Sequence, residues 1–494
     1  MDWLHTWAGV VLGGLLFAIF WMGTLSVFDR EIDRWMAPMT RLVPTGGAVA
    51  VEALRASYEA AAAAKATSWF AQLPTERAPV LQVTWREGTR QLVRLFDPVT
   101  GAALPDPGTW AGTGFLYPFH YMLHVRLGYW IVGVAGMAML VLCVSGVVIH
   151  RKIFADFFTF RADRQPRRLV LDLHNVTGVL GLPFHFMITL SGVIIFYGVY
   201  FPGTIQFAYG DEARAFGREA YGSYERPKLG QPGTLASLDA MTAEASRLWD
   251  GETPRYLFVR HPGDAAAVVQ VARHGDGRVA GSPDIAYFDA STGALLHHRV
   301  APQPVLSAQR FIAGLHLIQF RHWTLRWVYV ALGLAGCVVI TTGYLFWLQS
   351  RKKDDRLGSR GVRLVEALTV GSVSGIVIAT LAYFVANRLL PLGTTFLGED
   401  RAHLEMWAFY LLWFASFAHA RLRPGSAWAE QCLAIATLAV AAVALNWITT
   451  GDHLMRSLAH RHLWAVAGMD CLLLVTGALA AFTVHRLPGS RFFR

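Results

Sequence analysis

Eight long apolar segments determine what this chain can fold into. The hydrocarbon core of a bilayer is about 30 Å thick, so a helix that crosses it needs roughly 20 mostly apolar residues. Because 54% of the residues are hydrophobic and only 16% are charged, such stretches are frequent, with room left for water-exposed parts. We predict a membrane all-α helical bundle of about eight transmembrane helices, at residues 5–28, 128–149, 175–200, 327–348, 366–387, 404–420, 428–448 and 463–484.

The positions of Lys and Arg predict how these helices are oriented. The connections at 151–168 and 351–363 each contain six basic residues, and further arginines lie at 421–423 and after the last span. Eight crossings place all of them on one side, and short connections rich in Lys and Arg stay in the cytoplasm. We therefore expect both termini in the cytoplasm and the long segments outside it. Most of the net charge of +10 comes from basic residues in the short connections between the predicted spans and not from a basic water-exposed domain. No nucleic acid partner is therefore predicted.

The two long external segments resemble each other. The first contains VRLFDPVTGAAL at 93–104 and the second IAYFDASTGALL at 285–296. In each we predict a hairpin whose aspartate, Asp97 or Asp289, caps the turn, while Gly101 or Gly293 takes a positive φ. The flanking spans repeat as well, so the first 350 residues form two copies of helix, external domain and helix. The alternative is two unrelated hairpins.

Histidines in and beside the predicted spans need polar partners. His174 and His185 are 11 residues apart, which puts them on one face of a helix about 16 Å apart along its axis. His124 and His150 are 26 residues apart, about 39 Å in a continuous helix, so they cannot share one haem iron. In the structural alternative, His174 caps the helix start and His185 bonds the backbone freed by Pro183.

Paired histidines can hold b-type haem, and the absence of a CxxCH motif means that this haem is not covalently attached. The preferred outer pair is His124 with His316. The preferred inner pair joins His174 to His5 or His150. These assignments predict two haems b, with iron bound through His124, His316, His174 and His185.

His185 lies between the two preferred sites in depth. It either binds a third, middle haem or joins His124 or His120. The candidate cofactor-binding residues are His124, His316, His174, His185, His150, His5 and His120.

Several motifs resemble those of one family. They are the LH start of the first span, MGTLSVFDREID at 22–33, the paired FD turns, VIHRKIFADFFTFR at 148–161 and LDLHNVTGVLGLPFHFMITLSG at 171–192. Together they resemble the PepSY-associated transmembrane family, which includes iron-regulated inner-membrane proteins and ferric-siderophore reductases. The resemblance covers residues 1 to 355 and not 365–494, and the usual basic residue before the first LH is missing.

The resemblance implies a domain organisation and a location in the bacterial inner membrane. It implies two small α+β PepSY-like periplasmic domains between transmembrane helices, and bis-histidine haem ligation agrees with it. The expected parts are TM1 at 1–28, PepSY-like domain 1 at 29–120, TM2 and TM3 with a basic cytoplasmic loop at 121–200, PepSY-like domain 2 at 201–313, TM4 at 314–350 and an additional four-helix region at 365–494.

The expected activity is that of a ferric-siderophore reductase-like enzyme. We predict a b-type haem oxidoreductase that passes electrons across the inner membrane to a periplasmic ferric siderophore or another ferric chelate. The short cytoplasmic connections contain no dinucleotide, P-loop or flavin motif, so the donor is expected to be quinol or a cytoplasmic reductase. The alternatives are a membrane-anchored PepSY binding or regulatory protein without redox activity, and a transporter.

Overall fold

A computed structural model describes all residues except 45–48, 89, 150–165, 211–212, 276, 281–283, 300–303, 355–357 and 487–494. The chain divides into two compact units. We call them the helical unit, which consists of Met1–Pro38, Pro107–Val193 and Trp323–Arg494, and the sheet unit, which consists of Met39–Asp106 and Ile194–His322.

Helices dominate the described residues, with one sheet of appreciable size. In chain order the α-helices are α1 (Asp2–Ser26), α2 (Asp29–Met36), α3 (Arg55–Ala63), α4 (Tyr117–Met122), α5 (Gly128–Ile149), α6 (Pro166–Ile195), α7 (Tyr197–Tyr200), α8 (Pro202–Tyr209), α9 (Ala213–Tyr221), α10 (Leu238–Leu248), α11 (Pro304–Leu317), α12 (Trp323–Asp354), α13 (Gly358–Leu389), α14 (Arg401–Leu422), α15 (Ala427–Thr450), α16 (Leu454–Ala459) and α17 (Trp464–Arg486). The strands are β1 (Ser68–Gln72), β2 (Leu81–Glu87), β3 (Arg90–Phe96), β4 (Pro254–Arg260), β5 (Val268–Arg273), β6 (Ile285–Asp289), β7 (Leu295–Arg299), β8 (Thr395–Phe396) and β9 (Glu399–Asp400).

Seven helices among the described residues are long and apolar enough to cross a membrane. They cover all or most of seven of the eight predicted segments, of which 5–28 and 175–200 extend beyond the ends of their helices, and the chain is therefore a multi-pass membrane protein. The remaining segment, 404–420, lies in α14, which has 22 residues but is not one of the seven. Its polar residues explain the difference, because Arg401 and Glu405 lie near its start and His419 and Arg421 near its end.

Helix α1 lies at the centre of the helical unit, where it packs against α4, α5, α12 and α13. Two adjacent glycines allow this close packing. A Cβ at Gly13 would lie 2.8 Å from the ring of Tyr344 on α12, and one at Gly14 would lie 2.5 Å from Ser372 Oγ on α13. Both distances are shorter than normal van der Waals contact. The additional helices α13, α14, α15 and α17 pack on one another, and α17 also contacts α2.

The sheet unit contains one antiparallel sheet with the strand order β3-β2-β1-β4-β5-β6-β7. The first external segment supplies β1 to β3, and the second supplies β4 to β7. The two halves meet where β1 pairs with β4, with Phe70 opposite Phe258. The two segments that were predicted as separate domains therefore build a single compact unit, because the sequence repeat does not reveal the pairing between the two halves.

The two predicted turns have nearly identical geometry. Oδ1 of Asp97 and of Asp289 each accepts two hydrogen bonds, at 2.8 to 2.9 Å, from the amides two and three residues later. Gly101 and Gly293 follow with φ of +68° and +74°, which glycine adopts without steric cost. The turn prediction is confirmed in both halves.

Candidate functional site

His5 and His174 lie next to each other in the helical unit. His5 is near the start of α1 and His174 is in the third turn of α6. Their ring centroids are 6.5 Å apart and their ring planes are nearly perpendicular, at 88°. Each histidine belongs to an LH motif near the start of its repeated span, and the structure brings the two motifs together.

Hydrogen bonds at Nδ1 indicate the tautomer of each ring. His174 Nδ1 lies 2.9 Å from the backbone oxygen of Val339 on α12, and a carbonyl oxygen only accepts, so Nδ1 carries the hydrogen. His5 Nδ1 lies 3.0 Å from Ser145 Oγ on α5, and that hydroxyl donates its own hydrogen to Leu142 O. His5 Nδ1 therefore carries a hydrogen as well. In both rings the lone pair is then on Nε2, the usual arrangement of metal-binding histidines.

Glycines lie beside both rings. A Cβ at Gly343 on α12 would lie 3.3 Å from His174 Cε1, and a Cβ at Gly146 on α5 would lie 3.5 Å from His5 Cε1. Any larger side chain at these positions would fill the space next to the imidazoles.

The pair fits haem in its spacing and in its donor atoms. Two imidazoles that bind one iron through nitrogen at about 2 Å have ring centroids about 6.3 Å apart. The observed 6.5 Å is close to that value. Each Nδ1 has a partner in the protein, and the glycines keep side-chain atoms away from both rings.

His185 is buried in α6 and bonds a neighbouring helix. Its Nε2 lies 3.0 Å from Leu332 O on α12, and its ring packs against Phe20 on α1 with centroids 5.6 Å apart. The structural alternative for His185, a bond to the backbone freed by Pro183, was therefore wrong about the partner. A Cβ at Gly336 on α12 would lie 3.2 Å from His185 Nε2, so a glycine also lies beside this ring.

His120 lies at the same level of α1 as His185. Its Nδ1 is 2.8 Å from Ile19 O, and a Cβ at Gly23 would lie 2.7 Å from its ring. Burial lowers the pKa of His120, which keeps the ring neutral, the form that binds metals. Residues 19–23 are about 21 to 27 Å along the α1 axis from His5, so the histidines of the helical unit fall at two separate levels.

His124 is in a left-handed turn and not in a transmembrane helix. The backbone φ is +52° at Leu123 and +49° at His124, and α5 begins only at Gly128. The spacing of about 39 Å between His124 and His150 was given for a continuous helix, and the turn at His124 means that it does not apply. His124 Nε2 lies 2.9 Å from Phe115 O, and its ring stacks on Phe115 and on Trp110.

Two of the predicted ligands are not placed relative to the others. His150 lies outside the described residues. His316 belongs to α11 of the sheet unit, whereas His124 belongs to the helical unit, and their pairing stays a prediction.

Sequence reasoning did not identify the buried polar contacts that anchor α2. Arg326 is fully buried and pairs with Glu31 at 3.1 Å. Trp35 Nε1 donates to Asp470 Oδ1 at 2.8 Å, so Asp470 bonds a neighbouring helix. Glu31 and Trp35 are four residues apart on α2. This helical spacing was the only signal in the sequence.

The described residues contain no group of three or more His, Cys, Asp or Glu side chains that could hold a bare metal ion. A haem iron needs only two protein ligands, so pairs of histidines remain the relevant feature.

Two comparisons with known proteins bear on this arrangement. The PepSY-associated TM region matches residues 3–350, which contain all seven candidate histidines. An uncharacterized protein of Pseudomonas aeruginosa is 31% identical over 372 residues, and the alignment covers 71% of this chain and 88% of that protein. The helices after residue 354 lie beyond the matched region.

Proposed function

This chain belongs to the family of the PepSY-associated TM region, and on that premise we propose that it is a b-type haem oxidoreductase of the bacterial inner membrane. It passes electrons to a periplasmic ferric siderophore or another ferric chelate. Reduction of Fe(III) to Fe(II) weakens the binding of iron by hard oxygen ligands, so iron is released. The observation that carries the proposal is the pairing of His5 with His174.

The surroundings of the pair support a cofactor role. An imidazole in a membrane-spanning helix needs a polar partner, and here two helices of equivalent sequence each present one at the same level. Ser145 Oγ and Val339 O hold the two rings by Nδ1, as outer partners hold metal-binding histidines. Haem b bound between them would supply a one-electron carrier.

A second haem position is proposed at the other level of α1. His120 and His185 both contact residues 19–23 of that helix, each beside a glycine. The backbone carbonyls of Ile19 and Leu332 hold one nitrogen of each ring. His124 and His316 are the alternative ligands for this outer haem.

We propose eight membrane crossings, with α14 as the crossing that is least apolar. It is 22 residues long, and it packs closely along α13. Both termini are then cytoplasmic, and the sheet unit, with its two PepSY-like repeats, is periplasmic. Quinol or a cytoplasmic reductase donates the electrons.

An absorption spectrum of the detergent-purified protein, oxidised and dithionite-reduced, tests the proposal together with a pyridine haemochrome assay. We expect a sharp reduced α-band and about two haems b per chain. His5→Ala and His174→Ala should each remove about one haem, whereas His322→Ala, at an exposed histidine, should remove none. Haem-free protein from haem-replete cells would overturn the proposal and leave a membrane-anchored binding protein or a transporter.

A further inference from the structure

The sheet has one face covered by helices and one face that is partly open. Side chains alternate between the two faces of a strand. Trp69, Leu257 and Val259 point toward the helix-covered core and are fully buried. Their neighbours on the strands point the other way. The accessible ones form what we call the open face, which contains Phe70, Tyr256, Phe258, Gln270 and His297, whereas Tyr287 and Arg299 on the same side of the sheet are buried.

Aromatic rings form the middle of the open face. Phe70 on β1 lies opposite Phe258 on β4, and the rings of Phe70 and Tyr256 are 5.4 Å apart. All three side chains are only half-buried, although they lie on the two central strands of the sheet. This leaves a flat aromatic surface that a ligand could stack on.

Two arginines lie beside the aromatic surface. Arg299, at the end of β7, is buried and donates a hydrogen bond to Tyr221 O. Arg310, on α11, is close enough to Arg299, Tyr256 and Tyr287 to interact with them electrostatically. The Nε atom of Arg310 is buried and has no hydrogen-bond partner. The unsatisfied Nε donor of Arg310, under the influence of a second positive charge, favours the binding of an anion at Arg310.

Two carboxylates in the described part of this unit already bind other arginines. Glu225 pairs with Arg260 at 3.0 Å, and Asp289 pairs with Arg226 at 2.8 Å. Their charges are therefore used within the fold, and the positive charge of Arg310 is available to a ligand.

We propose that the open face binds a negatively charged ferric chelate whose iron-binding groups are aromatic oxyanions of the catecholate type. Catecholate rings stack on the aromatic surface, and their negative charge is matched by the guanidinium group of Arg310. A hydroxamate chelate has neither the charge nor the aromatic rings. This inference rests on the proposed reduction of ferric chelates and names the class of substrate.

Equilibrium dialysis of the full-length protein in detergent, with bound iron measured, tests this inference. The two probes are the ferric complexes of a synthetic tris-catecholate and of a synthetic trihydroxamate chelator. We expect the catecholate complex to bind at least about tenfold more tightly than the hydroxamate complex. Arg310→Gln should weaken binding of the catecholate complex about tenfold, because it removes a charge-assisted contact. The matched control is Arg247→Gln, at an exposed arginine on α10, and it should bind like the unmodified chain.

A second variant keeps the test valid if Arg310→Gln does not fold. Phe258→Leu removes an aromatic ring from the open face and leaves both arginines, and it should weaken binding of the catecholate complex several-fold. Equal binding of the two probes, or unchanged binding by both variants, would overturn the inference. Haem content is measured on the same samples. If the protein contains haem but does not bind the catecholate complex, only this inference is refuted. If the protein lacks haem but binds the catecholate complex, only the proposed electron transfer is refuted.

Discussion

Replacing Asp33 by Asn should make the helical unit more stable at neutral pH. Asp33 lies on α2 and accepts hydrogen bonds from Thr113, at 3.0 Å from its amide and 2.7 Å from its hydroxyl. Burial raises the pKa of Asp33 from 3.8 to about 6, although Arg30 lowers it in part. The folded protein therefore prefers the protonated carboxyl.

The sign and size of the effect follow from that shift. Because the folded-state pKa is raised, the contribution of Asp33 to stability is complete below pH 4 and is lost as the pH rises through about 6. A shift of about two units corresponds to at most about 3 kcal/mol. The amide of Asn carries no charge to bury but gives one weaker hydrogen bond to Thr113, at a cost of about 1 kcal/mol. Asp33→Asn should therefore gain about 2 kcal/mol at pH 7.5 and none at pH 4.5.

Thermal unfolding in detergent, followed from pH 4.5 to 8, measures this difference. The unfolding temperature of the variant minus that of the unmodified chain should rise as the pH increases from 4.5 to about 6 and should level off above that pH. Titrations elsewhere in the protein are common to both chains and cancel in the difference. A difference that does not change with pH would refute the reasoning, because the buried carboxyl would then carry no penalty for ionisation.

Two further predictions concern the inner pair of histidines. Ser145→Ala removes the acceptor of His5 Nδ1. Because loss of an outer partner weakens metal binding by a histidine, we expect the transfer of haem to apomyoglobin to be at least about tenfold faster in this variant. An unchanged rate would show that Ser145 does not orient the ring. Gly343→Val places a side chain against the ring of His174 and should lower the haem content, measured by pyridine haemochrome, by about one haem per chain. The control Gly178→Val has open space around it and should not lower the haem content. Equal losses in both variants would contradict the argument.

Hydropathy and repeats predicted much of this architecture, and local backbone geometry accounts for what they missed. The LH repeat placed His5 and His174 at equivalent positions, and the structure brings them together. His124 could not be placed in the same way, because the left-handed turn at Leu123 and His124 involves no glycine or proline that would mark the end of a helix.

The sheet illustrates a second limit of sequence reasoning. The FD turns were predicted correctly because the aspartate and glycine act within a few residues of each other. The pairing of Phe70 with Phe258 depends on contacts between distant parts of the chain. No local pattern indicates such a contact, so two halves of one sheet appeared as two domains.

The central pairing of β1 with β4 restricts how this protein is made. Strands of one sheet must lie on the same side of the membrane, so the chain between them crosses it an even number of times. Helices α5 and α6 therefore must both insert before the sheet can close. At a synthesis rate of about 5 to 20 residues per second, the roughly 190 residues between the partner strands take about 10 to 40 s. Throughout that interval β1 presents an unpaired edge to other chains. We therefore expect the half-sheet that is made first to need protection by a chaperone until its partner half is made.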